Sequence, residues 1–156
     1  MNNFLLLLTI ILLPQLLKAQ ADTTQLLPQD SLGQIYTIVE EMPRFPGCKD
    51  LEGTVQEKKS CADMNLLKYI YNNWKIPKTA IENQVCERIV VSFVIDQQGK
   101  VRNIKILKEP GYGMGASIMQ LLEAMNNLPQ AWRPGYHKGK PVAVQYNLPI
   151  RYHLNY

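Results

Sequence analysis

Residues 142–154 read Val-Ala-Val-Gln-Tyr-Asn-Leu-Pro-Ile-Arg-Tyr-His-Leu. Val142, Val144, Tyr146, Leu148, Ile150, Tyr152 and Leu154 alternate with Ala143, Gln145, Asn147, Pro149, Arg151 and His153. Side chains in a strand point to opposite faces in turn, so apolar residues at period two describe a long strand with one buried face. Pro149 lies inside it and has no N–H to give to a ladder. Its amide side must therefore face solvent, a bulge or a sheet edge. If this strand lies at the side of its sheet, its free amides can accept another extended chain, and its Gln145-Asn147-Arg151 face adds specificity. The opposite use is equally open, since a proline and a charge are also the ordinary means of blunting an edge.

Upstream, Ile118, Leu121, Leu122, Met125 and Leu128 fall on one helical face, with Pro129 and Pro134 bounding the exit. Before that helix, Ile89, Val91, Phe93 and Ile95 alternate through one strand, and Asp96-Gln97-Gln98-Gly99 supplies a turn. Val101 to Lys108 returns as a more polar strand. An earlier helix carries Leu66, Leu67, Ile70, Tyr71 and Trp74 as its apolar stripe, with Ser60 and Asp63 resembling a capping box, and Pro77 ends it. Pro77 to Ile81 suits a short extra turn. Ile35 to Val39 is β-rich, and Met42-Pro43-Arg44-Phe45-Pro46-Gly47 is a stiff extended-then-turn element. The expected architecture is α+β: a small three-stranded antiparallel sheet covered on one face by two helices.

The beginning of the chain has a different character. Phe4 to Leu17 is nearly all Leu and Ile, and Ala19-Gln20-Ala21 offers a small-residue cleavage site before polarity rises at Asp22. An apolar run of roughly 10 to 14 residues is short for a bilayer span and suits a secretory signal. Residues 1–21 are therefore read as a signal peptide, with a short retained anchor as the alternative. Residues 22–34 form a polar lead, 35–62 an N-terminal extension and 63–156 the main domain. Export places the chain in the periplasm or outside the cell, or on the inner membrane if the first segment is retained. Of three cysteines, Cys48 and Cys61 flank the polar stretch Lys49 to Ser60 and are expected to pair across it. Cys86 opens a β-branched run and reads as a small buried residue.

Chemistry is sparse. Gly111-Tyr112-Gly113-Met114-Gly115 sits between a strand and a helix, as phosphate loops do, but its glycine spacing misses the dinucleotide fingerprint and no Lys-Ser/Thr pair follows. Glu40 and Glu41 are adjacent and point apart, which makes them poor acid–base partners. His137 lies in a Gly/Lys turn and His153 on the polar face of the last strand, without close Cys or His neighbours for a metal. No Ser or Cys has an activating context. The net charge of +4 is modest and gathers into no Lys/Arg block, which argues against nucleic acid. No catalytic site, cofactor or metal is expected.

Trp74 to Leu154 resembles the C-terminal domain of TonB, the energy transducer of Gram-negative outer-membrane transport. The marks are Ile76-Pro77 with Ala80, the Val91-x-Phe93-x-Ile95-Asp96 strand with Gly99 and Val101, Trp132-Arg133-Pro134-Gly135, and Gly139-Lys140-Pro141-Val142 leading into Leu148-Pro149-Ile150-Arg151-Tyr152. Met42 to Gly47 resembles the preamble of stand-alone Bacteroidetes-type members. The resemblance departs at Ile76, where the family usually has Tyr, and at Gln84 and Glu87, where glycines are common. It implies a non-catalytic domain that binds the extended TonB box of outer-membrane receptors, or another envelope partner, by strand addition. Mapped here, that edge is Val142, Val144, Gln145, Tyr146, Asn147, Leu148 and Arg151. The alternative is an exported adaptor or structural domain that uses the same edge to form a homodimer. A complete transducer also needs a linker across the periplasm. Gln20 to Gln34 is fifteen residues, reaching at most about 50 Å when fully extended. Contact with the membrane is expected only through the N-terminal segment, if it is uncleaved.

Overall fold

The computed structural model describes residues 33–48 and 51–152; the signal segment, most of the polar lead, His153 and Leu154 lie outside them. In chain order the elements are β1 (Ile35–Tyr36), α1 (Val55–Asn73), α2 (Lys78–Glu82), β2 (Arg88–Ile95), β3 (Val101–Lys108), α3 (Met114–Ala124), β4 (Gly135–His137) and β5 (Lys140–Arg151), with a 3-10 turn at Met125–Asn127.

The sheet has five strands and is mixed, where the sequence suggested three and antiparallel. Its order is β1-β5-β2-β3, with β4 paired to β5. The β2–β3 and β2–β5 pairings are antiparallel as expected, and Ile89↔Ile150 through Ile95↔Val144 set the register. The additions are β1, which runs parallel to β5 through Ile35↔Ala143 and Tyr36↔Val144, and β4, which forms a hairpin with the start of β5. Strands of two and three residues are too short to show a period, so the pattern could not reveal them. Lys138 and Gly139 close that hairpin, both at positive φ as a two-residue primed turn requires.

The first helix begins earlier than the pattern suggests. Thr54 is its N-cap: the Glu57 amide donates to Thr54 Oγ1 at 3.2 Å, and the Thr54 amide donates to Glu57 Oε2 at 2.7 Å. This capping box, not Ser60 with Asp63, starts α1, so the second half of the supposed Lys49–Ser60 loop is helix. The Thr54 amide first, and then the Thr54 hydroxyl, which donates to the same Oε2 at 2.9 Å, hold the Glu57 carboxyl below its ordinary value. Along the helix Leu66, Ile70 and Trp74 are buried while Leu67 and Tyr71 are exposed, so the buried stripe is narrower than expected.

Both long helices cover the same face. Ala62, Leu66 and Ile70 of α1 and Met114, Ile118, Leu121 and Leu122 of α3 share one core with Ile89, Val91, Phe93 and Ile95 of β2. Trp74 Nε1 donates to Ser117 Oγ at 2.9 Å and ties the two helices together. The opposite face holds Ser92, Val94 and Ala143. Asn126 continues β3 in miniature: its side chain accepts from the Val101 amide at 2.8 Å and donates to the Val101 carbonyl at 3.0 Å.

Phe45 of the N-terminal extension belongs to the same core, and Glu41 and Arg44 bridge to Tyr136 and Arg133. Cys48 is joined to Cys61, thirteen residues on, in the second turn of α1. Cys86 is exposed, contrary to the sequence reading, because β2 starts only at Arg88 and Val85 takes the buried position before it. A cross-link across this interval limits the unfolded chain more than the folded one, by about 3 kcal/mol in the chain-entropy picture. The Cys48→Ser, Cys61→Ser double variant is expected to lose about that much unfolding free energy in denaturant titrations while keeping its far-ultraviolet dichroism.

Candidate functional site

β5 has β2 along one side from Val144 to Arg151. On its other flank the described partner is β1, which reaches only Ala143 and Val144, while β4 holds Lys140 to Val142. Of the seven residues named from the sequence, Val142 and Val144 are therefore already engaged by short strands of the same chain. Gln145, Tyr146, Asn147, Leu148 and Arg151 follow on a stretch whose outer side pairs with no strand among the described residues.

The side chains divide as the alternation requires. Val144, Leu148 and Ile150 are buried and Tyr146 is half-buried on the helix face; Asn147, Pro149 and Arg151 are exposed. Gln145 Nε2 donates to Asn147 Oδ1 at 3.3 Å, which joins two polar side chains into one strip. Tyr146 stacks on Phe93, with centroids 5.5 Å apart, and meets Trp132 edge-on at 5.8 Å. Tyr146 is thus both a member of the candidate strand and a part of the core.

Helix α1 accompanies this strand. Near its middle Asp63 Oδ1 accepts from the Tyr146 hydroxyl at 2.9 Å, and near its end the Tyr71 hydroxyl donates to the Arg151 carbonyl at 3.0 Å. Lys59 pairs with the other oxygen of Asp63. Neither Asp63 nor Tyr71 could be assigned to the site from the sequence, because each reaches a partner at least 80 residues away. Burial first, then the Asp63 charge and its hydrogen bond, push the Tyr146 hydroxyl well above the usual tyrosine range.

The other candidates have structural partners. Glu41 accepts from Arg133 at 2.8 Å and lies 3.5 Å from Arg44; Glu40 accepts from the Lys138 amide at 3.0 Å. His137 packs against Tyr36, centroids 5.2 Å apart. At the glycine-rich loop the Glu109 carboxylate accepts from the Gly115 amide at 2.6 Å, so the first turn of α3 is capped by the chain's own anion. Among the described residues no cluster of His, Cys, Asp and Glu is arranged to hold a metal ion, and no helix is long and apolar enough to cross a membrane.

A family model described as the Gram-negative bacterial TonB protein C-terminal matches residues 73–154, just over half of the chain. The chain belongs to this family of TonB C-terminal domains, whose members serve interactions in envelope transport. Among solved structures it is similar to the Helicobacter pylori TonB C-terminal domain, determined in solution by NMR. The two are 22% identical with a TM-score of 0.46, over 68% of this chain and 99% of that one. No curated protein matches the chain.

The raised Tyr146 value sets a pH dependence. The folded state favours the neutral phenol, so this contribution is fully present below the ordinary tyrosine value of about 10 and is lost as pH rises above it. Unfolding free energy is expected to fall above that pH, and Tyr146→Phe should flatten the fall. The same variant should lose about 1 kcal/mol at neutral pH with the hydrogen bond to Asp63. Chemical denaturation of both proteins between about pH 7 and 11 measures each effect.

Proposed function

We propose that this is a non-catalytic periplasmic domain that captures an extended peptide segment, of TonB-box type, from an outer-membrane transporter or another envelope protein. The segment would add as a strand along the outer side of β5, from Gln145 to Ile150. The observation that carries this reading is that this stretch pairs with no strand on its outer side among the described residues, although it lies in a sheet ordered by β2.

The direction of the backbone groups supports it. In an antiparallel ladder the N–H and C=O of one residue point to the same side, and successive residues alternate. The Arg151 carbonyl is taken by Tyr71 of α1, which puts the odd-numbered residues Gln145, Asn147 and Pro149 in the outward row. Pro149 fits that row, since a missing N–H there removes nothing from the ladder with β2. An incoming strand would draw its affinity from the outward groups of Gln145 and Asn147 and its register from their side-chain strip. Pro149 would limit how far the added strand runs. β1 limits it at the other end, because Ala143 and Val144 already have a parallel partner.

The position of Tyr146 decides which variant tests the idea. Proline at 146 would disturb the aromatic core, whereas Asn147→Pro removes one outward N–H and leaves an exposed side chain. Titration of peptides from receptor plug regions into isotope-labelled protein is expected to shift the amides of Gln145 to Ile150 and the Tyr71 ring. Asn147→Pro should retain the native dichroism and weaken binding at least about tenfold. Silent amides on this stretch, together with a concentration-dependent dimer in light scattering, would instead favour self-association through the same edge.

A further inference from the structure

A second feature lies apart from β5. A cavity of about 390 Å³ opens between the Arg44–Cys48 segment, the start of α1 and residues 130–133. Phe45, Pro46 and Trp132 supply apolar wall, and Arg44, Lys58 and Arg133 supply three cations; among the described residues no acidic one lines it. The volume is at the small end of the range for small-molecule sites.

The charge on these walls is not balanced. Glu41 serves both arginines, 2.8 Å from Arg133 and 3.5 Å from Arg44, and Lys58 has no ion pair with a described residue. Among the described residues, one carboxylate thus serves a wall with three cations. The side chain of Arg44 is only 13% exposed, so water screens it poorly. Burial, and then repulsion from Arg133, lower its ordinary value while Glu41 acts the other way. Trp132 is a lining residue whose indole N–H is closed to solvent and has no hydrogen-bond partner among the described residues, so it serves as a spectroscopic reporter of the cavity and not as a donor into it.

We propose that this cavity binds a carboxylate carried on a short apolar stem, with Arg44, Lys58 and Arg133 holding the carboxylate and Phe45, Pro46 and Trp132 enclosing the stem. Planar guanidinium groups match the two oxygens of a carboxylate, and charge-assisted hydrogen bonds of this kind are the stronger ones. Inorganic phosphate is the less suitable anion, because a strongly hydrated dianion loses more on entering a cavity with three apolar walls. A free acid and the terminal carboxylate of a peptide share the required chemistry. No residue of β5 lines the cavity, so the inference stands independently of strand capture at the edge.

The test uses the full disulfide-bonded chain and three probes: N-acetyl-leucine, its neutral amide and inorganic phosphate. Nitrogen–proton spectra report on the Trp132 indole and the arginine side chains. N-acetyl-leucine is expected to shift the Trp132 indole signal saturably, with an affinity in the millimolar range, about that of a single small anchor. The amide should leave the signal in place. Lys58→Gln, at a helix surface, should weaken the response at least about fivefold with unchanged dichroism. Binding to a peptide with a free C-terminus, lost on its amidation, would identify a chain end as the source; equal response to free acid alone would identify a small metabolite-like acid. An equal response to the amide, a stronger response to phosphate, no saturable shift, or full affinity in Lys58→Gln would each overturn the proposal.

Discussion

The placement of Trp132 is the constraint on which the other parts of this domain rest. Its ring meets Phe45 at 5.2 Å, Phe93 at 5.9 Å and Tyr146 at 5.8 Å, each edge to face. Those three partners come from the N-terminal extension, β2 and β5. Aromatic pairs of this geometry add to the free energy of their buried area, so three on one ring lock three segments together. The backbone of Trp132 is fixed as closely as its ring. Its amide donates to the Gly99 carbonyl at 3.2 Å. A Cβ on Gly99 would lie 2.0 Å from the Trp132 carbonyl oxygen, and Gly99 has φ +74°. The hairpin glycine is therefore needed twice, once for its turn and once to let residue 132 approach.

From that anchor the path to the candidate site is short. Residues 133–137 leave Trp132 to form β4, turn through Lys138 and Gly139, and return as β5. Tyr146 then comes back to the Trp132 ring and meets Asp63 with its hydroxyl. The outer side of β5 is thus presented by a strand pinned at its middle by an aromatic stack and at its end by Tyr71. An added strand would meet a preformed template, which reduces the ordering cost of binding. The same rigidity explains why the candidate strand cannot be probed at Tyr146 without disturbing the core.

The long elements were legible in the sequence because their periods run for seven or more residues. The alternation from Val142 to Arg151, the Ile89–Ile95 strand and the face containing Ile118, Leu121 and Leu122 each appear where the pattern put them. The pairing of Cys48 with Cys61 was legible because the two cysteines flank one short polar stretch, although half of that stretch is helix. The parts that were missed depend on contacts distant in sequence or on very short elements. β1 and β4 carry too few residues for a period, and β1 gains its strand geometry from Ala143 and Val144, over a hundred residues away. Asp63 and Tyr71 acquire a role only when β5 is laid beside their helix. Thr54 and Glu57 carry the capping-box motif in full, whereas Ser60 and Asp63 match it more weakly.

The matched family segment begins at residue 73, yet the folded core does not. Phe45 is 8% exposed, and Ala62, Leu66 and Ile70 are at or below 1% in the same cluster as the sheet residues. Removing everything before residue 73 would uncover that side of the core and take away Asp63 and Tyr71, the two side chains that hold β5 along its length. It would also remove β1, which is what restricts the outer side of β5 to the stretch after Val144. If β5 captures a strand as proposed, the extension would set its length and register, because an incoming strand would have only the outward groups after Val144 to pair with. A domain lacking it would offer a longer edge with less definition of where pairing starts, which is the condition under which strands slip in register and pair with the wrong partner.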